Sequence, residues 1–197
     1  MLRRWVVACV LGEALGIAAV ATTYAAIDRE LLQSEVAWVL SAGAWEGLCL
    51  GVAQALVLRT FGVRLSLWMP LTMLGAIAGY ALSLLGGAGA EGAAGGGEPS
   101  AVVLLGLGAA MGIAMGMLMG VVQWVAARDV IALFPWVGAN AIGWAPAMAT
   151  IMLAATSVDR DWPLFLIALI GAAAGAVAGL FVGVATSFAL PGRPHQP

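Results

Sequence analysis

Residues 43–59 read GAWEGLCLGVAQALVLR, and the fold follows from this stretch. Gly43, Gly47 and Gly51 recur every fourth residue, which on a helix puts them on one face. Gln54 and Arg59 follow. The same register returns at 112–128, GIAMGMLMGVVQWVAAR, with Gly112, Gly116 and Gly120 ahead of Gln123 and Arg128. It returns again with Gly175, Gly179 and Gly183, where Thr186 takes the glutamine position. The local strings agree as well: GLCLGVAQALVL at 47–58 stands against GLFVGVATSFAL at 179–190. Between these segments lies a second recurrence. Trp5, Trp68 and Trp136 each precede a glycine (Gly12, Gly75, Gly143) by seven residues, and Gly16, Gly79 and Ala147 come four residues later.

Composition names the solvent. Of 197 residues, 63% are hydrophobic and 9% charged, against about 25% charged in a typical soluble domain. So much apolar surface suits lipid. A net charge of −2 without a basic patch speaks against nucleic acid as a partner, and two cysteines exclude a disulfide scaffold. All eight basic residues among Lys and Arg are arginine.

A helix needs about 20 mainly apolar residues to cross the hydrocarbon core. Stretches at 5–27, 36–58, 66–85, 101–126, 131–156 and 163–190 qualify. Residues 1–27 also resemble a signal peptide, but the apolar run is long, contains Glu13, and is required by the repeat. The expected fold is an all-α integral membrane protein of six transmembrane helices. These form three tandem hairpins, 1–64, 65–130 and 131–197, in pseudo-threefold order about the membrane normal. A Gly/Ala linker, 86–100, falls in the second. Arg3, Arg4, Arg59, Arg64, Arg128 and Arg193 lie on one side, with Arg29 and Arg160 on the other. By the positive-inside rule both termini are expected in the cytoplasm, and the location is the bacterial inner membrane. Trp5, Trp68, Trp124 and Trp136 are expected at the cytoplasmic interface, with Trp38 and Trp162 at the outer one.

The run GMLMGVVQWVAAR at 116–128, followed by PWVGANAIGWA at 135–145, resembles the GxxxGxxQW…LR hairpins of small polytopic membrane proteins from cyanobacteria and other bacteria. Helix two departs from the pattern at Ala55, and helix six lacks both the Gln and a matching Arg. The resemblance implies the fold and carries no activity or site residues with it. Mitochondrial carriers share the count of three hairpins, but their Pro-x-acid-x-x-base motif is absent.

Without hydrophobic gain between helices in lipid, association rests on close backbone approach and interhelical hydrogen bonds. The glycines are therefore expected to be packing seams, with Gln54 and Gln123 extending them. Glu13 and Glu46 are the polar residues that stand out. Glu13 lies eight residues past Trp5, about 12 Å deep, and Glu46 lies 13 residues before Arg59, about 20 Å from the same side. No basic residue shares that depth, so each is expected to be neutral and hydrogen-bonded, either as glue between helices one and two or as a proton or cation site. Repeats two and three carry Ala76 and Trp144, then Met115 and Ala178, at the equivalent positions, so any site lies off the axis. Asn140 with Pro146 on helix five reads as a kink or a broken-helix binding feature. Met111, Met115 and Met119 read as soft packing, with Cu(I) binding the alternative. The only His is His195, Cys9 and Cys49 lie on separate helices, and no catalytic motif appears. Neither a metal, a cofactor nor catalysis is therefore expected.

Two readings of function follow. In the first the protein is a non-catalytic scaffold or accessory subunit, partnered by the bilayer and by other membrane subunits, and its interior is dry. In the second it is a small proton- or cation-linked transporter or channel, in which Glu13, Glu46, Gln54, Gln123 and Asn140 converge on one cavity.

Overall fold

The computed structural model describes residues 2–59, 61–91, 100–159 and 161–190, leaving the side chains of 85–91 aside. Arg160, Arg193, His195 and linker residues 92–99 lie outside them. Lipid cannot hydrogen-bond a peptide group, so an apolar chain satisfies its own backbone by coiling. The result is six helices: α1 (Leu2–Asp28), α2 (Glu35–Leu58), α3 (Leu65–Glu91), α4 (Ala101–Ala127), α5 (Leu133–Thr156) and α6 (Leu164–Ser187). Each contains a segment long and apolar enough to cross a membrane, and together they make a helical bundle of membrane-spanning type.

Arg59 and Arg128 stand at the C-caps of α2 and α4. At the start of α4 the Ser100 hydroxyl accepts the Val103 N–H at 3.4 Å. Helix α5 passes Pro146 without a break, and the Thr150 hydroxyl donates to the Pro146 carbonyl at 2.8 Å. Helix α3 continues to Glu91, into the stretch the sequence marks as linker from Gly86. Alanines alternate there with glycines and no proline falls within 86–91, so no missing N–H or ring clash breaks the helix over that stretch.

Each helix packs against its chain neighbours, and α6 packs against α1, closing a ring. Glycine contacts set the register. A Cβ added at Gly12 would stand 2.8 Å from the Leu50 Cα, and one at Gly16 would stand 2.9 Å from the Glu46 Cα. Helices α1 and α2 therefore run antiparallel. The seam of α2 faces α3: Gly47 meets Met73 at 2.6 Å, and Gly51 meets Thr72 at 3.2 Å. On α4, Gly112 meets the Trp144 carbonyl, Gly116 the Asn140 carbonyl and Gly120 the Val137 Cα. On α6, Gly175 meets the Glu13 carbonyl, Gly179 the Cys9 carbonyl and Gly183 the Val6 Cα. Gly75 and Gly143, in turn, close on Val122 of α4 and Val182 of α6. Every one of these seams faces another helix, and large apolar side chains such as Leu11, Leu56, Ile142 and Leu169 point outward.

The antiparallel registers put the starts of α1, α3 and α5 and the ends of α2, α4 and α6 at one end of the bundle. We call this the terminal face and its opposite the far face. Arg3, Arg4, Arg59, Arg64 and Arg128 all belong to the terminal face, where Arg64 pairs with Asp129 at 2.7 Å.

Candidate functional site

The terminal half of the bundle is filled. Trp5, Trp68 and Trp136, one from each odd helix, are fully buried. This corrects the expectation of an interfacial belt. The rings of Trp5 and Trp136 meet edge-on with centroids 6.1 Å apart, and those of Trp68 and Trp136 at 5.8 Å, close to the favoured T-shaped geometry. The reason lies in helical spacing. On α1, Trp5 shares a stripe with Cys9, Gly12, Glu13 and Gly16, and the glycines on that stripe face a neighbouring helix. The stripe turns inward as a unit. Trp124 is partly buried and donates to the Ile131 carbonyl at 3.0 Å, while Trp38 stays exposed.

The even helices supply polar partners for two of these indoles. The Trp5 N–H donates to the Thr186 hydroxyl at 2.9 Å, and the Trp68 N–H to Gln54 Oε1 at 3.2 Å. Gln54 Oε1 also accepts from Gln123 Nε2 at 3.1 Å, and that amide reaches the Thr72 hydroxyl at 3.2 Å. Gln54 Nε2 donates to the Cys9 sulfur at 3.6 Å. Gln123 Oε1 and the Trp136 N–H are buried without partners among the described residues.

Eight residues beyond each tryptophan comes a second buried level: Glu13, Ala76 and Trp144. Glu13 is 0% exposed, and neither of its oxygens has a hydrogen-bond partner among the described residues; the same holds for the Trp144 indole N–H. Glu46 on α2 lies against Gly16, one turn of α1 from Glu13.

Above this level the bundle opens. A cavity of about 570 Å³ is lined by side chains from all six helices. At its inner end are Ile17, Glu46, Tyr80, Met115, Trp144 and Met148; at its outer end are Asp28, Arg29 and Val158. From Ile17 to Asp28 along α1 is roughly 16 Å at the helical rise. Most of the wall is Ala, Ile, Leu, Met, Val and Gly. Deep in it the Tyr80 hydroxyl donates to Glu46 Oε2. At the mouth the Arg29 guanidinium donates to the Trp162 carbonyl.

The five polar residues singled out from sequence therefore do not converge. Glu46 lines the cavity and Glu13 is buried beneath it. Gln54 and Gln123 belong to the tryptophan seal, and the Asn140 amide donates to the Trp136 carbonyl of its own helix at 3.0 Å. Met111 and Met115 line the cavity, and no group of three or more His, Cys, Asp or Glu side chains gathers among the described residues. Two residues escaped the sequence reading. The role of Tyr80 depends on its contact across Gly43, for which no spacing gives a signal. That of Trp144 is visible only as the third-repeat counterpart of Glu13. No family model, curated protein or solved structure matches the chain.

Proposed function

We propose that this is a non-catalytic solute-binding membrane protein built from three equivalent hairpins. Its ligand would enter the cavity from the far face, and the terminal half would act as the seal. The cavity formed by all six helices carries this reading. Its volume of about 570 Å³ falls within the roughly 300–1,000 Å³ usual for small-molecule sites. A subunit serving only to pack on a larger complex has no use for such a space at its centre, so the cavity favours solute handling over the scaffold reading.

The seams support the hairpin symmetry. Even-helix glycines meet the following odd helix at α2–α3 and α4–α5, and α6 meets α1 in the same way. Odd-helix Gly12, Gly75 and Gly143 each meet the even helix of their own hairpin. The arginines of the terminal face support a cytoplasmic position for it under the positive-inside rule, with the cavity mouth facing outward. In this arrangement Glu46 is the polar end of the site, and Gln54 and Gln123 hold the seal. The proton- or cation-linked transporter of the sequence reading is thereby narrowed to one acid in contact with ligand and a second, Glu13, behind it.

Native mass spectrometry in mild detergent tests the proposal. A small-molecule adduct should accompany the wild type and be absent from Ala114→Trp, which fills the cavity. Stoichiometric protein partners, with no adduct that the substitution removes, would favour the accessory-subunit reading instead.

A further inference from the structure

The cavity wall is asymmetric at the depth where a ligand would end. By the repeat register, the Glu46–Tyr80 contact between α2 and α3 corresponds to Met115 beside Met148 between α4 and α5. Its third counterpart is Ala178 beside Ile17 between α6 and α1. One of three equivalent positions is thus polar and the other two are apolar. Aromatic faces gather at the same end: Tyr80 and Trp144 line the inner cavity, and Tyr24 stands further out on α1. Among the described residues the lining holds two carboxyls, Glu46 and Asp28, and one guanidinium, Arg29, which lies at the mouth and donates to the Trp162 carbonyl.

An apolar space with aromatic walls and a single buried acid suits a particular chemistry. Aromatic faces attract cations, more strongly where water is excluded. A carboxylate in hydrocarbon is costly unless a positive group joins it. Tyr80 donates to Glu46 Oε2, and the carboxyl still lines the cavity, where a charge supplied from outside the protein can reach it. Neutral apolar molecules would gain nothing from Glu46, and an anion would meet no positive group at the inner end among the described residues.

We propose that the cavity binds a monovalent organic cation with an apolar body, its charge set against Glu46 and its body among Tyr24, Tyr80 and Trp144. This rests on the solute-binding reading and names the ligand class of that same site. Among the described residues no positive group lines the inner end, where Glu46 lies, so the ligand supplies the charge that pairs with it.

Equilibrium dialysis of the purified full-length protein in neutral detergent tests this with tetraphenylphosphonium and tetraphenylborate, which share a shape and differ in sign. Ala114→Trp protein supplies the background from detergent partitioning. The expected result is saturable binding of the phosphonium that Glu46→Gln weakens at least tenfold, with no saturable binding of the borate. Equal binding of the two ions by the wild type would overturn the assignment whether or not the Glu46 variant folds. So would phosphonium binding that Glu46→Gln leaves unchanged while Ala114→Trp abolishes it. A wild type that binds neither ion, yet carries an adduct removed by Ala114→Trp in native mass spectrometry, refutes the cation assignment alone and leaves the solute-binding reading standing.

Discussion

The two halves of this bundle are built from the same six helices and end in opposite states. Toward the terminal face, the three equivalent positions on the odd helices all carry tryptophan, and those on the even helices carry Gln54, Gln123 and Thr186. Large side chains meet at the axis and the ring closes. Toward the far face, the equivalent positions diverge to Ile17, Tyr80 and Met148, with smaller residues around them, and a cavity remains. Backbone spacing set by the glycine seams is common to both halves. The volume placed at the axis is what distinguishes a seal from a site.

That contrast can be broken most forcefully at its centre. Trp136 touches both other tryptophans, so Trp136→Ala should cost about 3–5 kcal/mol in an unfolding titration in mixed micelles, the usual range for a buried aromatic. A Cβ at Gly112 would collide with the Trp144 carbonyl, and Gly112→Ala should cost about 1–3 kcal/mol as overpacking against rigid backbone. Gly106 and Gly138 have nothing within 4 Å of such a Cβ, and alanine there should be neutral or stabilising by up to about 1 kcal/mol in the same titration. Gln54→Leu leaves the Trp68 N–H and the Gln123 amide without their shared acceptor. Membrane hydrogen bonds average about 0.6 kcal/mol, so the loss should be about 1–2 kcal/mol. Smallest of all is Ala114→Trp on the cavity wall, which should leave stability within about 0.5 kcal/mol while removing bound ligand, since it fills space that no side chain uses.

Much of this plan was legible in the chain. Helix number and approximate bounds followed from apolar length, because lipid leaves an extended backbone no alternative. The seams followed from the spacing of Gly43, Gly47 and Gly51 and its two recurrences, because only absent side chains allow such close approach. Other features were not legible, for reasons that differ. Trp5, Trp68 and Trp136 read as an interfacial belt because tryptophan near a helix end usually prefers headgroups; their place on the same stripe as Gly12 and Gly16 was the missed indication that they face inward. Glu46 stood out as an acid in an apolar run, yet its partner Tyr80 is reached only across the α2–α3 seam. The cavity itself has no signature in spacing. It arises where the side chains brought forward from the six helices fall short of filling the axis, and a shortfall of that kind appears only once the ring is closed.

Thiol labelling measures the difference between the halves most directly. In a background of Cys9→Ser and Cys49→Ala, cysteine is placed at Ala114 on the cavity wall and, separately, at Ala126 in the terminal core. With the protein oriented in sealed vesicles, a membrane-impermeant maleimide should modify Ala114→Cys only from the side of the far face. Ala126→Cys should stay unmodified from either side. Labelling of Ala126→Cys, or a silent Ala114→Cys in folded protein, would contradict the account.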